Sequence, residues 1–188
     1  MMELVFCLEE SSAQAMLEGL LPRLLPVDVV LRYIPFEGKQ DLEKQLVRRL
    51  RGYRNPDARF IVIRDQDSNP DCKVVKARLT ALCSLAGKPN ALVRIACREL
   101  ENFYLADLAA VERGIGIAGI AKLQAKVKFR RPDYLGSPSR ELTLLTKGRY
   151  QKVGGSRAIG VHLDLNNRRS DSFRNLVQGI QRLVMRPL

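Results

Sequence analysis

Apolar residues along the chain come in short blocks separated by polar turns, and the blocks alternate between two periodicities. Glu3–Leu8 is a continuous apolar run closed by Glu9 and Glu10. Ser11 and Ser12 then open a stretch with apolar residues at 13, 16, 17, 20 and 21, the spacing of one helical face behind a serine cap. Residues 28–34 are rich in β-branched and aromatic side chains and predict a second strand. After the turn Phe36-Glu37-Gly38, residues 39–50 repeat Leu42, Leu46, Val47 and Leu50 with helical spacing. Phe60-Ile61-Val62-Ile63 forms the body of a third strand over residues 59–64. It runs into Asp65-Gln66-Asp67-Ser68-Asn69-Pro70, and residues 72–86 follow as a helix stopped by Gly87. Residues 91–96 supply a fourth strand. Strands this apolar have no solvated face, so the alternation predicts an α/β fold: a mostly parallel four-stranded sheet with helices on both faces.

The rest of the chain carries no further strand pattern. Residues 108–127 interleave Gly114, Gly116 and Gly119 with Ile and Ala, as a broken helix would, and residues 126–132 form a cationic loop. Pro138 and Ser139 start a short helix over 140–146. Residues 173–184 place Leu176, Val177, Ile180, Leu183 and Val184 on one helical face. The expected layout is an α/β core over residues 1–112 and a mainly helical extension over 113–188 packed on it, one structural domain in all.

Composition narrows the class. A chain of 188 residues with 46% hydrophobic and 28% charged side chains is of globular type and long enough for one well-packed domain. No apolar run approaches the roughly 20 residues that span a bilayer, and the first residues carry Glu3 in place of a basic leader, so a cytoplasmic protein with no membrane partner is expected. Cys7, Cys72, Cys83 and Cys97 lack C-x-x-C spacing and His162 is the single histidine, which argues against structural zinc and for small core residues in a reducing compartment. His162 alternates with apolar neighbours and reads as a packed or surface residue.

Charge changes the picture most. The 32 Lys and Arg against 20 Asp and Glu give +12, and the excess is localised. Residues 1–112 hold 16 basic and 16 acidic side chains, whereas residues 113–188 hold 16 basic and 4 acidic. A cationic segment joined to a neutral one suits a polyanion, and nucleic acid, DNA or RNA, is the expected partner. Lys126, Lys128, Arg130, Arg131, Arg149 and Arg157 are the candidate backbone contacts. A homo-oligomer is compatible with this composition.

In a parallel α/β sheet, ligands sit beyond the carboxyl ends of strands. That rule selects acids three times: Glu9 and Glu10 after the first strand, Asp65 and Asp67 after the third, and Glu99 and Glu101 after the fourth. Converging carboxylates repel one another unless a cation neutralises them, and a hard ion such as Mg²⁺ or Mn²⁺ takes oxygen ligands of this kind. Glu9, Asp65, Asp67 and Glu101 are the candidate metal ligands, with Glu10 and Glu99 as secondary candidates. Taken singly, each acid also reads as a helix-capping surface residue.

Leu4-Val5-Phe6-Cys7-Leu8-Glu9-Glu10 followed by a helix, together with Phe60-Ile61-Val62-Ile63-Arg64-Asp65-Gln66-Asp67, resembles the Toprim signature of a glutamate after the first strand and Asp-x-Asp after the third. Glu101-Asn102-Phe103-Tyr104-Leu105-Ala106-Asp107 is similar to an element of short stand-alone Toprim-like bacterial proteins related to the nuclease half of overcoming-lysogenization-defect (OLD) proteins. The resemblance covers residues 3–107. Beyond them it rests on residues 150–159 and on Ser172-Phe173. It implies a Toprim-like fold, a Mg²⁺- or Mn²⁺-dependent nuclease acting on phosphodiesters, and a role in phage defence beside an ATPase encoded nearby. Carried over, Glu9 binds metal or handles a proton, Asp65 and Asp67 bind metal, and Glu101 adds an acid. Lys152 and Arg157, expected on a glycine-rich loop, would meet phosphate, with Lys152 in a catalytic role. The signature usually has glycine after the glutamate and an acid four residues beyond it, where this chain has Glu10 and Ala13. That departure keeps a second reading open: a non-catalytic protein that binds nucleic acid or docks on an ATPase through a degenerate site. A receiver-like domain fits less well, because Cys97 follows the fourth strand where a Ser or Thr belongs. A haloacid-dehalogenase-type phosphatase would place Asp-x-Asp after its first strand.

Overall fold

A computed structural model describes residues 2–185. Its four strands, β1 (Glu3–Leu8), β2 (Val30–Pro35), β3 (Arg59–Asp65) and β4 (Leu92–Ala96), pair in the order β2-β1-β3-β4, all parallel. Each crossover carries a helix: α1 (Ser11–Leu20), α2 (Lys39–Arg51) and α3 (Cys72–Leu85). The strands alternate cleanly between faces. Leu4, Phe6, Leu8, Ile61 and Ile63 pack on one side with α1, while Val5, Cys7, Phe60 and Val62 pack on the other with Leu42, Leu46 and Leu50 of α2 and Val75 and Leu79 of α3.

The order places β1 at the centre. From it the chain winds outward to β2 on one side and to β3 and then β4 on the other, so the crossover direction reverses between β1 and β3, the position where α/β sheets open a crevice.

The second half covers the α1 face. It comprises α4 (Glu101–Leu105), α5 (Leu108–Ile115), α6 (Pro138–Leu145), α7 (Lys152–Gly160) and α8 (Asp171–Met185), with short 3₁₀ turns between α5 and α6. Residues 108–127 break after α5 because Gly116 turns left-handed (φ 70°). Residues 152–160, expected as a glycine-rich loop, are the helix α7. The glycines serve close packing there: a Cβ at Gly160 would lie 2.5 Å from the Met16 carbonyl oxygen, and one at Gly19 would lie 2.6 Å from the Val161 nitrogen. Two helices that approach this closely leave no room for a side chain between them. Phe103 and Tyr104 are core residues, as are Cys7 and Cys83; Cys72 and Cys97 are half-buried and all four thiols are free. Among the described residues no helix is long and apolar enough to cross a membrane.

Candidate active site at the β1–β3 edge

Glu9 leaves β1 as an extension of the sheet, its amide donating to the Ile63 carbonyl at 3.2 Å. Its carboxylate in turn accepts the Asp65 amide at 3.0 Å. Two acids 56 positions apart are thereby tied together at the point where the winding reverses. Asp65 is the last residue of β3 and lies on the α1 face by alternation with Ile61 and Ile63. The residue keeps some surface open while its carboxyl is closely surrounded. Burial pushes that carboxyl well above the usual range, and the charges of Glu9 and Glu101 push the same way, with Asp67 adding less. The Leu100 amide pulls against them. Burial likewise raises Glu9, opposed by the Asp65 amide and reinforced by the charge of Asp67.

Glu101 opens α4 and is buried. Its carboxylate accepts the Tyr150 hydroxyl at 3.0 Å, and that hydroxyl lies 3.3 Å from Ser156 Oγ. Burial raises the Glu101 carboxyl; its own backbone amide, Tyr150 and the charge of Lys152 counter it. Asp67 departs from the arrangement expected of an Asp-x-Asp pair. It takes a left-handed conformation (φ 56°), its amide donates to the Arg98 carbonyl at 2.7 Å, and its carboxylate meets Lys39 at 3.0 Å on the α2 side. Asp65 and Asp67 therefore feel each other's charge without their carboxylates turning toward one point. Arg98 is left-handed as well (φ 61°), so the chain turns away sharply beyond both β3 and β4.

Lys152, 142 positions from Glu10, donates to both oxygens of its carboxylate at 2.9 and 2.7 Å. Burial would lower the ammonium's pKa, but the Glu10 bond and charge outweigh it, helped by Glu101 and Asp65, and the net direction is upward. Thus α7, held on α1 by the glycine contacts, delivers a cation to the acidic edge. A narrow crevice there is lined by Glu9, Glu10, Ser12, Ala13, Asp65 and Leu100. Glu99 faces elsewhere and caps the start of α6, accepting the Ser139 amide at 2.7 Å.

Arg64 was not singled out by sequence reasoning, although an arginine inside the run Phe60–Ile63-Arg64-Asp65 is a visible anomaly. Its buried guanidinium contacts Glu43 at 2.6 Å and lies 3.8 Å from Glu9 and 4.0 Å from Asp67. Buried cations persist only when paired, and here the pairing joins the β1 acid to the β3 loop acid.

Of the cationic residues expected to touch nucleic acid, Lys128 pairs with Glu141 and Arg157 with Glu18 at 3.4 Å. Lys126, Arg130, Arg131 and Arg149 are exposed and form no carboxylate pair among the described residues. His162 is half-buried beyond the end of α7.

Among the described residues no three His, Cys, Asp or Glu side chains form a ready-made cation cage. Mg²⁺ needs only one or two carboxylates and keeps its waters. The chemistry of the donor set fits such an ion: Glu9 and Asp65 stand together, and the raised carboxyl of Asp65 marks a charge concentration that a cation would relieve.

The sheet order and the helical second half define an α/β protein of Toprim-like fold. In fold the chain is similar to the C-terminal region of the Burkholderia pseudomallei OLD protein, with a TM-score of 0.57 at 16% identity, covering 96% of this chain and 98% of that one. It belongs to the family described as domain of unknown function DUF4276, whose model matches residues 8–181. No curated protein sequence matches it.

Proposed function

We propose that the chain is a nuclease-like protein that hydrolyses nucleic-acid phosphodiesters with Mg²⁺ or Mn²⁺ at the β1–β3 edge, and that it works in phage defence with a partner ATPase. The observation that carries this reading is the tie between Glu9 and Asp65 across the reversal of winding, with Glu101 acting on the same carboxyl. A bound divalent cation supplies polarisation of the phosphoryl oxygen and of the attacking water. The chain supplies the rest. Glu9, fixed by the Asp65 amide and by Arg64, presents a carboxylate of set orientation. Asp65, tied to Glu9, would hold the cation beside it. Lys152, on leaving Glu10, places positive charge where it develops negatively on the phosphate. Glu101 holds or gives up a proton through its bond to Tyr150. The family resemblance and the likeness in fold support the nuclease class, and the charge of residues 113–188 supports a polyanionic substrate.

A second reading is favoured by Ala13 in the crevice and by the Lys152 clasp on Glu10: a non-catalytic protein that binds nucleic acid or an ATPase. Incubating the purified chain with labelled DNA and RNA, with Mg²⁺ or Mn²⁺ and with or without any ATPase encoded beside it, separates the two. The nuclease reading predicts cation-dependent cleavage that Glu9→Ala and Asp65→Ala abolish. Equal inertness of all three proteins under every condition would leave the binding reading.

A further inference from the structure

We infer that a groove walled by Arg130, Arg131, Arg168, Arg169 and Arg174 binds the phosphodiester backbone of a nucleic-acid strand. The inference rests on the nucleic-acid reading above, but not on cleavage. The groove has a volume of about 520 Å³, and its remaining lining is two aspartates and two asparagines. No apolar residue lines it, which leaves a surface suited to sugar and phosphate, and at its margin Arg131 lies over the exposed ring of Tyr134, 5.5 Å from the centroid. Arg174 is paired with Asp171 at 2.7 Å. The other four guanidiniums have no carboxylate partner among the described residues; Arg130 and Arg169 reach only the carbonyls of Ala125 and Ala106 at 3.3 and 3.5 Å. Five arginines against two aspartates leave the groove net positive, an arrangement favourable toward a polyanion. All five cations are arginine, the side chain whose fork matches phosphate.

The two double arginines are mounted alike, each between buried anchors. Arg130-Arg131 lies between Phe129 and Pro132, both buried. Arg168-Arg169 lies between Asn167 and Ser170. Asn167 donates to the Ala106 carbonyl at 2.7 Å, and Asp133 accepts from the Ser170 hydroxyl at 2.6 Å and the Ser172 amide at 2.9 Å, joining the two walls. The groove is thus set before any ligand arrives, and less ordering remains to oppose binding.

Its position relates it to the acids. Asn167 and Arg169 hold the carbonyl of Ala106, the residue just beyond α4, and Glu101 opens α4 at its other end. Because α4 is buried throughout, this link ties the groove wall to the acids through the core.

Fluorescence anisotropy with labelled single-stranded and duplex DNA and RNA of about 20 nucleotides, titrated between about 50 and 200 mM salt, tests this. Arg168→Ala with Arg169→Ala should weaken binding at least about tenfold and lower the salt slope by about 1.4–1.8, the loss of two phosphate contacts. Arg130→Ala with Arg131→Ala should do the same from the opposite wall. Lys44→Ala with Arg48→Ala, exposed on α2 across the sheet, removes equal charge and should change affinity less than twofold. All four arginines are exposed, and unchanged thermal midpoints establish that the variants fold. The inference is overturned if wild type binds no nucleic acid, if the groove variants bind as wild type, if the α2 variant loses as much, or if poly-glutamate of matched charge competes equally. A chain that binds through the groove and never cleaves refutes the nuclease reading alone. One that cleaves with the groove variants unimpaired refutes the groove alone.

Discussion

Replacing Asp65 by Asn should stabilise the cation-free protein, and only at high pH. The Asp65 carboxyl is raised in the folded state by burial and by Glu9 and Glu101, whereas in the unfolded chain it titrates near 4. The folded state then holds the extra proton between those two pKa values, so stability is fully present below the unfolded pKa and declines as pH rises toward the folded one. Two unit charges about 6 Å apart at an effective dielectric constant of about 20 repel by roughly 2.8 kcal/mol. Asn removes that repulsion together with the cost of burying a charge, so a gain on the order of 2 kcal/mol is expected at pH 8. For a chain of this length that is about 4–8 °C in Tm. Asn also keeps an oxygen to accept the Leu100 amide, and the bond from the residue 65 amide to Glu9 is unaffected. Thermal unfolding in EDTA at about pH 5 and pH 8 reads the effect. The Asn variant should melt above wild type at pH 8, and the difference should shrink as pH falls toward the unfolded value near 4. Added Mg²⁺ should then raise the wild-type midpoint at pH 8 and leave the variant unmoved. An Asn variant that melts below wild type at pH 8, or shifts equally at both pH values, would refute the charge-concentration argument.

Gly160→Ala and Gly154→Ala should have opposite signs although both lie in α7. At 160 the new Cβ meets the Met16 carbonyl, which should cost about 2 kcal/mol or about 4–8 °C, whereas at 154 it meets nothing within 4 Å and the gain in helix propensity should hold or raise the midpoint in the same scan. Lys152→Met should change stability by less than about 1 kcal/mol, since its pair with Glu10 is half-exposed, yet lower the cleavage rate about 10²-fold. Chemical denaturation and single-turnover kinetics on the same preparation separate those two effects.

The four strands and the helices between them were legible because each strand is mostly apolar, β1 and the body of β3 without a break, and each helix repeats at three to four residues; Phe60–Ile63 and Leu42-Leu46-Leu50 leave little choice. The acids were selected because the carboxyl ends of parallel strands are where ligands bind, and the structure brings Asp65 within reach of the charges of Glu9 and Glu101. A signal for strand order lay in Arg32 and Arg94, which interrupt β2 and β4 and mark the sheet edges; the apolar-run pattern treats all four strands alike and so does not pair β1 with β3. The split of Asp65 and Asp67 to different sides depends on a left-handed residue at 67, which Asp tolerates without announcing it. The glycines of residues 154–160 suggested a phosphate loop because glycine marks turns and close helix contacts alike. Arg168 and Arg169 were passed over since a double arginine on a polar stretch gives no sign of the second double arginine that the fold sets opposite it.

The central claim is that the acids joined across β1 and β3 cleave phosphodiesters with a divalent cation. Its most direct measurement is the single-turnover rate on an end-labelled strand for wild type and Asp65→Asn, in Mg²⁺ and in EDTA, with the folding of both verified at the assay pH. A rate present only for wild type with Mg²⁺, and lower by at least about 10²-fold in the folded variant, is the predicted result. A wild-type rate equal to that of Asp65→Asn, or unchanged by EDTA, would contradict it.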